Sequence, residues 1–355
     1  VRGTARNGES TFREIEVELA EHEHQRRLST IIERLEHVRP SDEGPIPKAV
    51  RVLGPAALEP PDVMVAALPG KPTAHEVIRV ALASSVAQVL LQLPGARLGV
   101  DPEGVHQARV AARRMNSDLK TFKPLLDAEW VARLRSELRW VIDALGAVRD
   151  CDVFGVKLRA VDARHPEIDP VAAERVLQQV DLERRAARKR LLRSLGDDRA
   201  RRLFDDLVAA AASPATRRRA ERPAREVMPK LVRKHWNRLD RAVDSLGRRP
   251  TAAELHAVRI MAKRLRYASE AVAPAAGKPA RKFAKRAAKI QDALGELNDA
   301  AVVGAWLAAA SAELDGPAGF AAGQMAQLLA VEARTNDQAW RSAHLSMTRH
   351  TAWFM

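Results

Sequence analysis

Cysteine and aromatic residues are both scarce in this chain of 355 residues. The one cysteine, Cys151, excludes an internal disulfide and fits a reducing compartment. Aromatic residues make up only 4% of the chain, whereas hydrophobic residues as a whole make up 46% and supply a core. Ala, Leu and Arg are good helix formers, and aromatic and β-branched residues favour sheets. The composition therefore predicts a mainly helical protein, long enough for two domains of ordinary size.

Signals typical of enzymes and membrane proteins are also missing. The sequence has no glycine-rich phosphate loop and no His and Cys residues at the spacing of a structural zinc site. It starts without a basic segment followed by an apolar one, so we expect no secretory signal. The longest apolar run, Ala300 to Ala310, is too short to span a bilayer and predicts a buried helix. We expect a cytoplasmic protein with no catalytic residue, cofactor, metal or membrane contact.

Positive charge is abundant but unevenly distributed. The formal net charge is +14, yet residues 1–80 hold 11 Lys and Arg against 13 Asp and Glu. The remaining residues hold 48 against 32. An excess of one sign in one region predicts either a polyanionic partner or a surface whose charges repel one another. Nucleic acid, an anionic membrane and polyphosphate all meet that requirement.

The chain divides into three regions by pattern. Phe12 to Leu19 alternates with period two, which predicts a half-buried strand, and a helix near 21–38 follows it. Residues 40–72 hold eight of the 20 prolines and predict a linker with short helical pieces at most. From Thr73 onward every segment predicts helix. We therefore expect domains at 1–39, 40–72 and 73–355.

The third region contains a series of predicted helices. The first is the apolar stretch Val77 to Leu93, preceded by Thr73 and Glu76 in a capping-box pattern. The others are expected near 102–122, 128–146, 150–163, 170–195, 198–212, 220–246, 252–272, 278–297, 299–314 and 318–345.

An internal repeat is the most informative feature of the sequence. The segment His106-Gln-Ala-Arg109-Val-Ala-Ala-Arg113-Arg114 recurs as His256-Ala-Val-Arg259-Ile-Met-Ala-Lys263-Arg264, 150 residues later. Leu145-Gly-Ala-Val-Arg149-Asp150 recurs as Leu294-Gly-Glu-Leu-Asn298-Asp299. Two motifs kept in register indicate a duplicated helical module of about 140 residues. We expect one lobe at about 73–213 and a second at about 214–355.

Each copy of the first motif predicts an amphipathic helix with a cationic face. On a helical wheel, His106, Arg109, Arg113 and Lys120 fall within roughly one sixth of the circumference, opposite apolar residues. The second copy places His256, Arg259, Lys263, Arg266 and Tyr267 on its cationic side.

The predicted starts of these two helices put the histidines at equivalent positions. Asp101 before Pro102 is a typical N-cap followed by proline at the first helical residue, and Thr251 with Glu254 is a capping box. Both assignments make the histidine the fifth residue of its helix. It then lies near the helix N-terminus, which is the end that favours anions. The arginines one and two turns later carry planar donors that suit phosphate oxygens. A single basic stripe is usually a solvated face, but two matching stripes indicate an anion site.

Other basic segments and the glycine motif have structural alternatives. Lys278, Arg281, Lys282, Lys285 and Lys289 share one helical face, whose counterpart in the first copy keeps Arg133 and Arg139. This face either contacts a bound anion directly or only adds to the positive electrostatic field around it. In the second motif, Gly146 and Gly295 are expected to permit close helix packing. Asp150 and Asp299 are expected to cap the next helix or to pair with an arginine.

These motifs together resemble the CHAD family, the conserved histidine α-helical domain, over roughly residues 72–355. The resemblance implies an all-α fold of two four-helix-bundle lobes related by a pseudo-twofold axis. It also implies a basic central groove or pore that binds inorganic polyphosphate without catalysis. From the motifs and the cationic faces, the predicted polyphosphate-binding residues are His106, Arg109, Arg113, Arg114, Lys120, His256, Arg259, Lys263, Arg264, Arg266, Tyr267, Arg133, Lys282, Lys285 and Lys289.

The N-terminal region resembles the end of a CYTH domain, the triphosphate tunnel fold. Arg13-Glu14-Ile-Glu16-Val-Glu18-Leu and the helix after it match the last strand and exit of that fold. The Glu-x-Glu-x-Lys strand that opens such a domain is absent from the sequence. The resemblance therefore implies a partial CYTH-like remnant at 1–39, and triphosphatase activity is not transferred.

Two other functions compete with polyphosphate binding. The net charge alone also fits an RNA-binding helical protein, although single-strand binders stack bases on aromatic side chains and only Tyr267 lies on a basic stripe. The other alternative is a helical scaffold associated with polyphosphate granules.

Overall fold

The structure is a computed structural model that describes residues 2–5, 8–11, 25–36, 48–333 and 339–355. The chain forms two units, Val1–Asp62 and Val63–Met355, and each is described by itself.

The first unit combines a small hairpin with short helices. Strand β1 (Arg2–Ala5) pairs antiparallel with β2 (Gly8–Thr11), and helix α1 spans Gln25–Glu36. Helix α2 (Lys48–Leu53) contacts both strands and continues into a 3-10 segment, Gly54–Leu58. The predicted strand at 12–19 lies outside the described residues, so the CYTH-like resemblance stays a prediction. The hairpin itself was not expected from the sequence.

The second unit is all-helical, as predicted. Its described residues contain no strand, and isolated bridges join Thr73 to Pro223 and Leu126 to Thr216. Its α-helices are α3 (Ala74–Leu98), α4 (Pro102–Phe122), α5 (Ala128–Arg164), α6 (Pro170–Gly196), α7 (Asp198–Ala212), α8 (Ala224–Asp244), α9 (Ala252–Ala293), α10 (Gly295–Ala310), α11 (Gly316–Ala333) and α12 (Ala339–Thr348).

Capping side chains fix the helix starts where the sequence placed them. Thr73 and Glu76 form a reciprocal capping box at the start of α3. The Asp101 side chain accepts from the backbone N–H of Glu103 at 2.8 Å, and Pro102 is the first residue of α4. Thr251 and Glu254 form a second capping box at the start of α9. His106 and His256 are therefore each the fifth residue of their helices, as expected.

Some of the predicted helix boundaries are wrong and others are confirmed. The segments expected at 128–146 and 150–163 form the single helix α5, since one glycine inside a packed helix costs only about 1 kcal/mol. The break expected between 252–272 and 278–297 is confirmed: both segments lie within α9, but the backbone between them is non-helical at Gly277, where φ is 72°. Helix α8 starts at Ala224 rather than near 220, after a 3-10 segment.

Two hydrophobic clusters form the core of the second unit. The first combines α3, α4, the N-terminal part of α5, the C-terminal part of α6, α7, α8, α9 and α12. The second combines the C-terminal part of α5, the N-terminal half of α6, α10 and α11. Each cluster contains residues from both copies of the repeat, so the copies share their cores. The lobe boundary near residue 213 stays a prediction.

Among the described helices, one has the length and hydropathy of a membrane span, and it is α3. Eleven of its residues are buried, and it packs against α4, α7, α8 and α9. This environment is that of a core helix. The apolar run expected to form a buried helix makes up most of α10, but the prediction is only partly confirmed: Val303 and Leu307 are fully buried, whereas Val302 is 43% exposed.

Candidate functional site: a cationic cleft

Helices α4 and α9, which carry the two copies of the first motif, pack against each other and border a cleft of about 540 Å³. Segments of α5 and α10 that carry the second motif complete it. The polar and charged residues that line it are His106, Gln107, Arg109, Arg113, Arg149, Asp150, His256, Arg259, Lys263, Arg266, Tyr267, Gln291, Asn298 and Asp299. The structure thus brings together both copies of both motifs, which are far apart in sequence.

Six Lys and Arg side chains face two carboxylates in this cleft. Charges from opposite helices act on each other. The guanidinium of Arg259 on α9 is among the causes that lower the pKa of Arg109 on α4, after burial and the charge of Arg113 on the same helix as Arg109. Like charges held this close in a partly dry cleft repel one another. The cleft is therefore electrostatically prepared for an anion.

Lys263 is the most strongly affected of these cations. Burial, followed by the positive charges of Arg113 and Arg259, lowers the pKa of its ammonium group from 10.5 to about 7. Its motif position holds Arg113 in the first copy, and the sequence placed Lys263 on the cationic side of the second helix. Near neutral pH, however, the unliganded protein carries only part of it.

The two histidines occupy different environments despite their equivalent positions. The pKa of His106 is lowered, first by burial and then by the charge of Arg149. Its Nδ1 atom is buried without a hydrogen-bond partner. His256 is exposed, and its Nδ1 lies within hydrogen-bond distance of Asn298 Oδ1. Because the amide oxygen accepts, Nδ1 of His256 donates, and its other ring nitrogen remains available.

Arg109 is held by two residues of the second motif. Its Nη2 donates to Asp150 Oδ1 at 3.3 Å, which confirms the expected pairing of that aspartate with an arginine. Its Nε lies 3.5 Å from where a Cβ on Gly146 would be, which is an ordinary van der Waals distance, so the guanidinium packs directly against this glycine. The Nε atoms of Arg109 and Arg259 are both buried without a hydrogen-bond partner. Buried donors of this kind are normally satisfied, so they indicate a missing acceptor.

Some expectations for the second motif are wrong. A Cβ on Gly295 would meet no atom within 4 Å, so this glycine does not permit a close approach. Asp150 and Asp299 lie inside α5 and α10 and cap neither helix. Asp299 accepts from Asn298 Nδ2 at 3.3 Å rather than from an arginine.

The structure separates the predicted binding residues into two groups. Eight of them line the cleft: His106, Arg109, Arg113, His256, Arg259, Lys263, Arg266 and Tyr267. Seven do not: Arg114, Lys120, Arg264, Arg133, Lys282, Lys285 and Lys289. The helical wheel grouped Lys120 with Arg113, but two crossing helices face each other only near the crossing. Arg133, Lys282, Lys285 and Lys289 are exposed on other surfaces.

Sequence reasoning did not include Arg149 and Asn298 among the site residues. Both occupy the same position of the repeated second motif, four residues after its leucine in α5 and α10. The charge of Arg149 lowers the pKa of His106, and Asn298 Oδ1 accepts a hydrogen bond from His256 Nδ1. In each copy, the residue at this position therefore interacts with the histidine of that copy. The nearly constant spacing between the two motifs was the signal that could have identified them.

No group of three or more His, Cys, Asp or Glu residues suited to a metal ion occurs in the part of the chain that the structure describes.

The fold of the second unit and the site within it define an all-helical domain with a cationic cleft between duplicated helices. The family profile of the CHAD domain matches residues 80–308, and the chain belongs to that family. This confirms the resemblance found in the sequence.

Two curated relatives come from Mycobacterium tuberculosis: "Uncharacterized protein Rv2226" of strain ATCC 25618 / H37Rv and "Uncharacterized protein MT2285" of strain CDC 1551 / Oshkosh. The chain is 30% identical to each over 316 residues, which cover 84% of this chain and 58% of the relative. It therefore spans less than two thirds of their length.

Solved structures share the fold. PptA from Streptomyces chartreusis superposes with a TM-score of 0.64 at 23% identity, covering 77% of this chain and 99% of that one. The CHAD domain from the plant Ricinus communis gives a TM-score of 0.61 at 23% identity, covering 83% and 96%.

Proposed function

We propose that this protein binds inorganic polyphosphate in the cationic cleft and does not hydrolyse it. The observation that carries the proposal is the convergence of six Lys and Arg side chains, with two unpartnered guanidinium Nε atoms, on one cleft between duplicated helices. Charged N–H donors bind phosphate oxygens strongly, and arginine presents its donors in a planar fork. We place the protein in the cytoplasm, where such a polymer would be its partner.

Polyphosphate fits the cleft better than RNA does. Tyr267, the aromatic residue on the basic face, is only 6% exposed and lies with its ring beside the charges of Lys263 and Arg266. Phe154 also lines the cleft, but it is 7% exposed and packs against Trp306. Neither ring offers a face on which a nucleobase stacks. A polyanion without bases makes use of the charges alone.

A binding role also fits the state of the carboxylates. Asp150 is engaged by Arg109, which keeps it from acting as a free general base. The same is true of Asp299 to a lesser degree, because Asn298 donates to it. We expect no phosphate release above background when the protein is incubated with polyphosphate and a divalent metal.

A binding titration with variants tests the proposal. Arg109→Ala/Arg259→Ala removes the two inward guanidinium groups and should weaken long-chain polyphosphate binding by at least about 100-fold, if each contact contributes roughly 1.5–3 kcal/mol. Arg193→Ala/Arg225→Ala removes the same charge from exposed positions outside the cleft and is the matched control. Equal losses in both variants would show that only net charge matters.

Competition with RNA of equal charge separates the two candidate partners. We expect RNA to displace bound polyphosphate poorly. Preferential binding of RNA would make the protein a nucleic-acid binder, and binding of neither would favour a scaffold role.

A further inference from the structure

A second cavity, of about 1010 Å³, borders the cationic cleft and is larger than it. It lies between the start of α9 and the helices α10 and α11, and we call it the apolar crevice. Fourteen of the sixteen described residues that line it are apolar or glycine, and the other two are His256 and Asn298. It separates the two hydrophobic clusters, since Leu294 belongs to the first, Ala300 to the second, and Leu297 packs against both.

Part of the apolar crevice is open to solvent. Ala301, Val302 and Ala305 of α10 line it and are exposed, and Val302 keeps 43% of its surface accessible. Contiguous exposed apolar surface is uncommon in a folded protein and marks a binding site. Pockets for small molecules are likewise concave and mainly apolar, with a few polar groups that fix the orientation of the ligand. The apolar crevice therefore has the character of a binding site for an apolar group.

The apolar crevice and the cationic cleft meet at three residues. His256, Asn298 and Val302 line both. His256 Nδ1 donates to Asn298 Oδ1, so its other ring nitrogen is available at this junction. One turn further along α9, Arg259 lines the cleft with a buried Nε that has no hydrogen-bond partner. The polar corner of the apolar crevice therefore leads directly to cationic donors.

The first copy of the repeat does not reproduce this apolar lining. The second motif repeats at an offset of 149 residues, which places Arg149 at the position of Asn298 and Asp152 at that of Ala301. Asp152 accepts a hydrogen bond from Arg184 Nε at 2.6 Å. A hydrocarbon chain laid over this ion pair would strip water from the half-exposed arginine, which is costly. The apolar crevice is thus a property of the second copy alone.

We propose that this protein also binds a single-chain amphiphile with a phosphate head group. The phosphate contacts His256 and Arg259 in the cleft, and the hydrocarbon chain lies in the apolar crevice beside Leu297 and Gly304. This ligand uses the same cations as the proposed function but does not depend on polyphosphate binding. Charge complementarity selects the amphiphile, since a neutral apolar molecule would leave those cations without an anion.

A second copy of this chain is a poorer occupant of the apolar crevice. A twofold contact places the same patch of both copies face to face. It would bring the two cationic clefts close together, and like charges repel. The apolar crevice therefore suits a small anionic ligand better than a dimer contact.

A series of alkyl phosphates tests the proposal on the full chain. Calorimetric titration should give octyl phosphate an affinity at least about tenfold higher than that of butyl phosphate, because each fully buried methylene strengthens binding about fourfold. Octanol has the same chain without the anion and should bind at least about tenfold more weakly than octyl phosphate. Equal affinities of octyl and butyl phosphate would overturn the proposal. Equal affinities of octanol and octyl phosphate would also overturn it, because the site would then not recognise the head group.

Gly304→Leu fills the apolar crevice from α10. A Cβ at Gly304 meets no atom within 4 Å, and leucine favours helix more than glycine does, so the fold should persist. The variant should bring the affinity for octyl phosphate to within about threefold of that for butyl phosphate. Binding of butyl phosphate and of tripolyphosphate should not change, since Gly304 does not line the cleft. Ala309→Leu adds the same side chain at an exposed position of α10 outside the crevice, and is the matched control.

A second filling variant guards against a folding defect. If Gly304→Leu loses helical content, Ala305→Leu fills the crevice from the next residue, which is exposed. A filling variant that folds and keeps the full preference for octyl phosphate would overturn the proposal.

Competition separates this second ligand from the proposed function. Long-chain polyphosphate should displace octyl phosphate, because both contact Arg259. Octyl phosphate that stays bound beside polyphosphate would place its head group outside the cleft and overturn the proposal. A dimer seen in sedimentation that Gly304→Leu dissociates would assign the crevice to a second copy and also overturn it. Failure of polyphosphate to bind at all would refute the proposed function and leave the octyl phosphate site supported by its chain-length dependence.

Discussion

At the scale of single residues, Lys263 determines how the cleft responds to protons. Its pKa, lowered to about 7, lies where histidines usually titrate, whereas the pKa of His106 is lowered below its ordinary value of 6.5. A bound polyanion replaces repulsion by attraction and raises both pKa values. The sequence alone points to histidines as the groups that titrate near neutral pH. It does not reveal the shift of Lys263, because that shift depends on burial and on charges from the opposite helix.

Binding should therefore weaken as pH rises above about 7. In that range Lys263 loses its proton in the unliganded protein but keeps it when polyphosphate is bound. Binding is therefore coupled to the uptake of a proton, and affinity falls as pH rises. Below the free pKa, Lys263 is protonated in both states and contributes no dependence. Lys263→Arg should flatten the profile above neutrality, since arginine stays charged. Affinities measured from pH 6 to pH 9 check this, and an unchanged slope in the variant would assign the response to other groups.

The same lysine should cost stability in the unliganded protein. In the unfolded chain its pKa is near 10.5, so at pH 7 Lys263 is fully protonated there but only partly protonated in the folded protein. This difference lowers the free energy of unfolding. The cost grows as pH falls from 10.5 toward 7 and is constant below that. Lys263→Met should raise the free energy of unfolding by on the order of 2 kcal/mol at pH 7 while weakening polyphosphate binding. Denaturant unfolding at pH 7 and pH 10 measures this, and a variant destabilised at both pH values would contradict it.

At the scale of helices, local signals and tertiary placement differ in how far sequence predicts them. The caps at Thr73, Asp101 and Thr251 were predictable because each is a contact within three residues. The helix faces around His106 and His256 were predictable because helical periodicity fixes them. The sequence did not predict that Lys120 lies outside the cleft, because the position of Lys120 relative to the cleft depends on where α4 crosses α9. The contact of Arg109 with Gly146 likewise depends on how α4 packs on α5.

The two glycines of the second motif provide a matched comparison. Gly146→Leu places a side chain where the Arg109 guanidinium lies, and should weaken polyphosphate binding about tenfold or more by moving that group. Gly295→Leu enters open space and should leave binding unchanged, with helical stability equal or slightly higher. Titration of both variants, with circular dichroism to verify folding, gives the answer. Equal effects would mean that the motif acts through helix propensity rather than through Arg109.

At the scale of the whole molecule, duplication accounts for both the fold and the cleft. Each hydrophobic cluster takes helices from both copies, so neither copy buries its apolar faces alone. The cationic faces of α4 and α9 meet at the same place, which no single helix would achieve. Differences between the copies then make the surroundings asymmetric, with Arg149 against Asn298 and Lys120 against Glu270. The repeat was visible in the sequence, whereas the consequences of its differences became clear only in the fold.

The position of bound polyphosphate tests the central claim most directly. A crystal structure of the protein with a long polyphosphate should show phosphate groups in the cleft, within hydrogen-bond distance of Arg109 Nε and Arg259 Nε, and close to Lys263. Polyphosphate found instead along the exposed face of Lys282, Lys285 and Lys289, with the cleft empty, would contradict the account.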